Sequence, residues 1–171
     1  MISAIVCVDK NWGIGYDGKL LAHIPEDMRF FKEMTRDGIV IMGRKTYDSL
    51  PSKPLPYRIN IVITSRINKE YEIDERGTVF ASMEFIKLYL STLHPLMTPN
   101  CFVIGGEQIY KELLPYCDNA YVTKVDYSYE DVDAYFPNLD KNKEWKMVKN
   151  GKEKMYDGMP YKFCIYKKEY E

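Results

Sequence analysis

Hydrophobic positions along this chain follow two periods, one typical of buried strands and one typical of helices. Continuous apolar runs rich in Val and Ile predict strands over residues 2–8, 39–42, 59–63, 101–104 and 120–125, with a shorter one over 78–80. Apolar residues at helical spacing predict helices over about 25–36, 44–50, 82–93 and 107–114. Strands that alternate with helices indicate an α/β fold, in which a mainly parallel central sheet carries helices on both faces.

The remaining segments predict loops and an antiparallel edge. Residues 145–148 and 161–166 form a predicted C-terminal hairpin across a polar turn near 151–158. We expect a long loop over 9–23 and a charged surface loop over 69–76. A length of 171 residues suffices for one core, so we expect a single domain over 1–171.

One charged residue interrupts the apolar face of the first predicted helix. Ile24, Met28, Phe31 and Met34 share this face, and Asp27 lies on it one turn before Phe31. A carboxylate among apolar side chains is costly unless another group pairs with it. Acidic residues also favour the helix dipole and cap free N–H groups, so both a functional and a capping role are open for Asp27.

Glycines follow two predicted strands at the sheet edge where ligands bind in such folds. Gly43 precedes Arg44-Lys45-Thr46 at a helix start, where free N–H groups and the dipole suit a phosphate, although a tight turn with solvated cations fits the same residues. Gly105-Gly106 lets backbone approach a ligand closely. Thr64-Ser65-Arg66 is a second candidate phosphate site.

A glycine-rich segment precedes the first helix. Gly13-Ile14-Gly15-Tyr16-Asp17-Gly18 matches GxGxxG. A dinucleotide fingerprint places its last glycine in the opening turn of a helix, and here five residues intervene before Ile24-Pro25. The segment instead favours a mobile loop that closes over a substrate.

Composition and charge argue against several classes of protein. The formal net charge is −1 and neither half carries a basic block, which argues against a nucleic-acid binder. No apolar stretch approaches the roughly 20 residues that span a bilayer, and no signal peptide is indicated. The four cysteines form no CxxC pair or zinc pattern, so we expect buried thiols in a reducing cytoplasm. Two histidines, no GxSxG elbow and no metal-ligand cluster support a hydrolase poorly.

In their order and spacing, these segments resemble a bacterial-type dihydrofolate reductase over nearly the whole chain. The residues that carry the resemblance are Ile14-Gly15, residues 24–28 with Phe30-Phe31-Lys32, residues 40–47, Pro54-Leu55-Pro56 with Arg58 and Asn60, residues 103–106 with Ile109-Tyr110, and Tyr135-Phe136-Pro137. The match is weakest over 67–100 and after residue 138. The resemblance implies reduction of 7,8-dihydrofolate to 5,6,7,8-tetrahydrofolate with NADPH, which supplies one-carbon and thymidylate metabolism.

The resemblance implies a substrate site around Asp27. This carboxylate would accept hydrogen bonds from the 2-amino group and N3 of the pterin and would support protonation at N5. Its apolar surroundings predict a raised pKa. Thr123 matches the threonine that hydrogen-bonds this carboxylate, and Arg58 matches the arginine that binds the α-carboxylate of the glutamate tail. The pocket positions around the substrate rings correspond to Ile5, Val6, Met28, Phe31, Leu50 and Ile104.

The resemblance also implies NADPH as the cofactor and no metal. Gly43 begins the segment that matches the phosphate-binding helix start, Arg66 lies in the region for the adenosine 2′-phosphate, and Gly105 begins a turn that contains a cis peptide in the family. Gln108 stands where some members carry an arginine for that phosphate, so we expect Arg66 to bind it. The predicted cofactor residues are Cys7, Ile14, Gly15, Gly43, Arg44, Lys45, Thr46, Thr64, Ser65, Arg66, Gly105, Gly106, Glu107, Gln108, Ile109 and Tyr110.

The sequence departs from the family in the loop before the first helix. The family usually has Leu/Met-Pro-Trp where this chain has Leu20-Leu21-Ala22. The tryptophan normally packs near the pterin and holds an ordered water close to the carboxylate. We therefore expect altered proton delivery and unusual binding of diaminopyrimidine antifolates. His23 either relays protons or faces solvent, and exposure is the commoner state of such residues.

Two other functions remain open. A pyrimidine reductase of the same fold would keep the cofactor residues but would not need Asp27 and Arg58 together. A non-catalytic NADPH-binding module would tolerate loss of Asp27, and the missing tryptophan is its best support. The balanced charge and the length make a monomer the expected state.

Overall fold

The computed structural model describes residues 1–94, 96 and 99–170. Four α-helices are present in these ranges: α1 (Pro25–Thr35), α2 (Arg44–Ser49), α3 (Met83–Thr92) and α4 (Glu107–Leu113). Two short 3-10 helices lie at Leu114–Tyr116 and Leu139–Lys141. The strands are β1 (Ile2–Val8), β2 (Gly13–Tyr16), β3 (Lys19–Leu20), β4 (Ile39–Gly43), β5 (Ile59–Ile63), β6 (Tyr71–Ile73), β7 (Val79–Ala81), β8 (Cys101–Gly105), β9 (Asn119–Val125), β10 (Ala134–Tyr135), β11 (Trp145–Asn150), β12 (Lys154–Tyr156) and β13 (Met159–Lys168).

The central sheet has the strand order β11-β13-β9-β1-β8-β4-β5-β7-β6, with β12 added beside β13. The strands β9, β1, β8, β4, β5 and β7 are parallel to their neighbours within this run. The C-terminal strands β11, β12 and β13 are antiparallel. The predicted α/β architecture with an antiparallel C-terminal edge is therefore confirmed.

Apolar clusters cover both faces of the sheet. Ile86 of α3 and Leu113 of α4 pack in one cluster, whereas Phe31 of α1 and Tyr47 of α2 pack in another. Side chains of a strand alternate between faces, so neighbouring positions of β1 contribute to different clusters. The buried central strands explain the unbroken apolar runs of the sequence. Within the described ranges, no helix has the length and apolar character that crossing a membrane requires.

Helix α1 begins where the sequence predicts it and ends one residue earlier. Pro25 occupies the first turn, where its missing N–H costs no hydrogen bond. Beyond the helix, Asp37 adopts the left-handed conformation with φ 61°. A Cβ atom on Gly38 would lie 2.8 Å from the Asn100 carbonyl oxygen, so Gly38 serves close backbone approach between neighbouring segments.

Two predicted loops contain short strands. The loop expected over 9–23 forms β2 and β3, which make a separate three-stranded sheet with β10. The charged segment over 69–76 contains β6, whose three residues are all exposed at the edge of the central sheet. Both expectations were wrong because these strands are too short for a hydrophobic period to be visible in the sequence, and they form by pairing with β10, β2 and β7.

The predicted C-terminal hairpin is confirmed, and its polar turn contains the additional strand β12. After β11 the chain crosses at Gly151, where a Cβ atom would lie 2.4 Å from the Phe163 carbonyl oxygen. It then runs along the N-terminal part of β13 and reverses at Asp157 and Gly158, both with positive φ. Residues 151–161 therefore form a C-terminal flap, which extends the sheet towards the start of α1.

Candidate active site

The glycines that end β4 and β8 lie side by side, since Met42 and Gly105 are register partners. A Cβ atom on Gly43 would approach Ile109 Cγ1 to 3.0 Å, and one on Gly105 would approach Tyr110 Cε2 to the same distance. Gly105 has φ 115°, and the Gly105-Gly106 peptide is cis, as the resemblance implied. These positions exclude side chains and leave backbone facing the cleft at the carboxyl ends of the strands.

The starts of α2 and α4 face the glycine junctions. The N-cap residues of these helices are Gly43 and Gly106, and neither helix has a side chain that caps its N–H groups. Arg44 Nε is buried without a hydrogen bond, and its nearest carboxylate oxygen, on Asp48, is 3.6 Å away. Unpaired N–H groups and a buried guanidinium nitrogen make this side of the cleft suitable for an anion.

Asp27 occupies the opposite side of the cleft. Its carboxylate is half-buried on the first turn of α1 and accepts a hydrogen bond of 2.6 Å from Thr123 Oγ1 of β9. Cys7 of β1, the register partner of Thr123, lies next to this carboxylate. Burial raises the pKa of Asp27, and the interactions with Thr123 and Cys7 oppose this rise only in part. The predicted pairing of Asp27 with Thr123 is therefore present.

An apolar cluster packs between α1 and the central sheet. Ile5, Phe31, Leu50 and Ile104 belong to this cluster, and Ile104 directly precedes the first glycine of the β8 junction. Val6 lies in the cluster on the other face of the sheet, together with Ile14 and Ile109. The first cluster thus contains four of the six predicted apolar positions.

Met28 does not continue the apolar face of α1. Its side chain is 58% exposed, whereas Phe31 and Met34 pack against the sheet. The helical period correctly places Phe31 and Met34 inward, but the inward stripe of α1 does not include Met28. Its exposed thioether is available to a ligand that lies beside α1.

Two hydrogen bonds hold the Arg58 guanidinium in one orientation. Its Nε donates to the Pro56 carbonyl oxygen at 2.8 Å, and its Nη1 donates to Thr35 Oγ1 at 3.1 Å. Burial and the neighbouring Arg36 lower the pKa of Arg58, so an anion beside it would be favourable. Three of its five N–H donors stay available, enough for a two-bond contact with a carboxylate.

The second candidate phosphate site is an exposed turn after β5. Thr64 Oγ1 accepts a hydrogen bond of 3.1 Å from the Arg66 backbone N–H, and both Ser65 and Arg66 are exposed. Gln108 is also exposed, but its amide donates to Glu112 Oε1 at 3.1 Å. Lys45 lies exposed on the first turn of α2. The Arg66 side chain is therefore more available to a phosphate than the Gln108 amide, which already binds Glu112.

The remaining predicted cofactor residues connect the cleft to the three-stranded sheet of β2, β3 and β10. Tyr110 donates to the Ile5 carbonyl oxygen at 2.8 Å, and Glu107 accepts from the Tyr135 N–H at 2.9 Å. A Cβ atom on Gly106 would lie 3.6 Å from Thr46 Oγ1, which places α2 beside the β8 junction. A Cβ atom on Gly15 would lie 2.9 Å from the Lys19 carbonyl oxygen, so this tight pairing requires glycine.

The loop residues that depart from the family pattern lie next to the first turn of α1. Ala22 packs, half-buried, against the cluster of Ile24, Val125 and Tyr161, and His23 is exposed. The solvent-facing interpretation of His23 is therefore confirmed. All four cysteines are free thiols, three of them buried and Cys7 half-buried. The part of the chain that the structure describes contains no group of three or more acidic, His or Cys side chains able to hold a metal ion.

The sequence did not predict two contacts at the site. Cys7 was expected only at the cofactor, but its thiol also contacts Asp27, and burial followed by that carboxylate raises its pKa. Glu26, next to Asp27, is bound by Lys154 and by Tyr161 from the C-terminal flap. No sequence pattern pairs residues more than 100 positions apart. Alternation in β1 could have indicated that Cys7 shares a face with Ile5.

The fold and this cleft define an α/β protein of the nucleotide-dependent enzyme class, with an anion-binding side and an apolar side that carries one carboxylate. A family model described as dihydrofolate reductase matches residues 1–168. The chain belongs to the dihydrofolate reductase family.

Individual relatives agree along nearly the whole chain. The dihydrofolate reductase of Bacillus subtilis (strain 168) is 38% identical over 171 residues, which cover 99% of this chain and 95% of that protein. The enzyme of Neisseria gonorrhoeae is 37% identical and covers 96% of both chains. A solved structure of dihydrofolate reductase from Enterococcus faecalis, complexed with NADP(H) and RAB-propyl, has a TM-score of 0.80 at 31% identity and covers 98% of this chain and 96% of that chain.

Proposed function

We propose that Asp27 is the catalytic carboxylate with which this member of the dihydrofolate reductase family reduces 7,8-dihydrofolate to 5,6,7,8-tetrahydrofolate, using NADPH. The observation that carries the assignment is the half-buried Asp27 carboxylate, which Thr123 binds at 2.6 Å on the first turn of α1, the helix whose Phe31 packs in the apolar cluster. This carboxylate accepts hydrogen bonds from the 2-amino group and N3 of the pterin. It thereby orients the ring and favours the tautomer that takes a proton at N5.

The raised pKa of Asp27 supports this role. Burial raises the pKa, so the carboxyl group can hold a proton closer to neutral pH than an exposed aspartate. Thr123 and Cys7 keep the group oriented while it does so. We assign proton delivery to solvent on the Ala22 side of the site, because Ala22 is half-buried and its neighbour His23 is exposed.

We assign the rest of the substrate to the apolar pocket and to Arg58. The pterin and benzoyl rings lie among Ile5, Phe31, Leu50 and Ile104, which exclude water from the reacting atoms. Met28 covers the outer side of the ligand, and the backbone of Val6 borders its inner side. The free N–H donors of Arg58 bind the α-carboxylate of the glutamate tail.

The glycine side of the cleft fits a dinucleotide phosphate. A Cβ atom on Gly43 or Gly105 would make a tight contact of 3.0 Å, the starts of α2 and α4 lack side-chain caps, and Arg44 Nε has no hydrogen-bond partner among the described residues. When bound, NADPH supplies the hydride that C6 of the pterin receives. The phosphate-binding positions are Gly43, Arg44, Lys45, Thr46, Gly105 and Gly106, with Thr64, Ser65 and Arg66 at the 2′-phosphate. Cys7, Ile14, Gly15, Glu107, Gln108, Ile109 and Tyr110 complete the proposed set.

Oxidation of NADPH, followed by its near-ultraviolet absorbance, tests the assignment. Wild type should oxidise NADPH when dihydrofolate is added, and Asp27→Asn should lose most activity at neutral pH and regain part of it at acid pH. The recovery follows because acid protonates the substrate without help from the carboxylate. NADPH binding without oxidation in wild type would contradict the function, and full activity of Asp27→Asn would contradict the role of Asp27.

We further propose a monomer in a reducing compartment such as the cytoplasm. Four free cysteines, three of them buried, are compatible with such a compartment. Diaminopyrimidine antifolates, whose protonated ring complements a carboxylate, are proposed ligands of the Asp27 pocket. Ala22 would alter their fit because it leaves space where the family has a tryptophan.

A further inference from the structure

Two residues of the C-terminal flap bind the same carboxylate next to Asp27. Lys154 of β12 and Tyr161 of β13 are direct register partners, so their side chains share one face of the flap. Lys154 Nζ donates to Glu26 Oε1, and Tyr161 Oη donates to Glu26 Oε2 at 2.5 Å. Each oxygen of Glu26 therefore has its own donor, and we call these three residues the flap clamp.

The flap clamp fixes the first turn of α1. Glu26 precedes Asp27 in this turn, where the backbone has few other side-chain partners because no side chain caps the helix. Lys154 and Tyr161 lower the pKa of Glu26, which keeps the clamp charged at neutral pH. Arg29, one turn on, adds a further positive charge near Glu26.

The same flap residues also border the environment of Asp27. The Tyr161 ring packs with Ile24 and Val125 and makes a T-shaped contact with Phe163, which is the register partner of Thr123. The Lys154 ammonium lies 5.3 Å from the centroid of the Phe163 ring. Movement of the flap would therefore disturb helix α1, which carries Asp27. It would also disturb strand β9, which carries the hydrogen-bond donor Thr123.

We propose that Lys154 and Tyr161 are positioning residues for the reaction, because their joint hold on Glu26 keeps the first turn of α1, and with it Asp27, closed against water and aligned with Thr123. The inference rests on the proposed role of Asp27. It gives the C-terminal flap a function in substrate binding, which the flap exerts through α1 and Asp27. The flap is not part of the cofactor side of the cleft.

The test removes the ion pair without changing net charge. In Glu26→Gln with Lys154→Met, the charges of the pair disappear together, and Tyr161→Phe separately removes the hydroxyl. Exposed residues of the same flap provide matched controls: Lys152→Met with Glu153→Gln, and Tyr156→Phe. Lys154→Arg keeps a donor for Glu26 and should behave like wild type.

The first measurement is titration of Asp27 by carbon-13 NMR in the protein without ligands, together with hydrogen exchange over residues 26–31. The groups facing Asp27 are Thr123, Cys7, Tyr110 and Tyr161, all neutral near pH 7, so the paired variants leave its local charges unchanged. Both clamp variants should lower the pKa of Asp27 and speed exchange, because water enters the first turn. A titration identical to that of the controls would overturn the proposal.

Kinetics separate a positioning role from a structural one. The KM for dihydrofolate should rise about threefold to tenfold in the clamp variants, as expected for a displaced binding group, while the KM for NADPH stays within twofold. Hydrogen exchange could be faster while the titration of Asp27 and the KM for dihydrofolate are unchanged. In that case the clamp only stabilises the fold, and the proposal would be overturned. If wild type fails to oxidise NADPH with dihydrofolate, the proposed function fails, whereas titration and exchange still decide whether the clamp acts on Asp27.

Discussion

Substitution of Arg58 provides the sharpest test of how the site binds its substrate. The structure holds the guanidinium by Nε at Pro56 and by Nη1 at Thr35, so the group is oriented before any ligand arrives. Three N–H donors remain, and two of them can form a parallel contact with the α-carboxylate of dihydrofolate. Arg58→Ala removes this contact and its preorganisation together.

The expected magnitude follows from the number and exposure of these bonds. A hydrogen bond to a charged group contributes about 1.5–3 kcal/mol. Because Arg58 is only half-buried, we take the low end and expect a loss of about 2–3 kcal/mol for two bonds. This corresponds to a roughly 30- to 150-fold fall in kcat/KM, since 1.4 kcal/mol is a factor of ten. Arg58→Lys keeps the charge but not the fork, so its loss should be about tenfold or less.

The assay compares dihydrofolate with 6-methyl-7,8-dihydropterin, which has no carboxylate. Arg58→Ala should lower kcat/KM for dihydrofolate and leave the value for the pterin nearly unchanged. Arg36→Ala is the matched control, because it removes a neighbouring exposed cation without touching the donors of Arg58. An equal loss with both substrates, or an equal loss in Arg36→Ala, would refute the assignment of a two-bond contact.

Three further predictions concern the cofactor side, the loop and the carboxylate. Arg66→Ala should raise the KM for NADPH far more than the KM for NADH, because only NADPH carries the 2′-phosphate; equal effects would argue against Arg66 as its partner. Ala22→Trp should change the affinity for a diaminopyrimidine antifolate at least as much as it changes turnover, because a large ring then lies beside the Ile24 cluster. Calorimetry measures the affinity, and an inert substitution would count against that reasoning. Burial raises the pKa of Asp27, so its contribution to stability is complete at acid pH and is lost as the pH rises through the folded-state pKa. Asp27→Asn should therefore raise the Tm at neutral pH and not at acid pH, and an unchanged Tm at both would refute the burial cost.

The sequence by itself determined the features that depend on local pattern. The five buried central strands and the start of α1 at Pro25 follow from apolar runs and from helix-start chemistry. Asp27 on an apolar helix face is equally local, because the helical period is set within a few residues. The resemblance to the family also implied the cis peptide at Gly105-Gly106, which the structure contains.

Only the tertiary structure decided the features that depend on partners distant in sequence. Strand β2 pairs with the distant β10 on one side and with β3 on the other, and the residues of β2 and β3 carry no strand pattern of their own. The exposure of Met28 depends on where α1 meets the sheet, which helical periodicity does not specify. Glu26 meets Lys154 from 128 positions away, and Thr123 meets Asp27 from 96 positions away. Hydrophobic pattern selects which residues are buried, but strand register and helix packing decide which polar groups become neighbours.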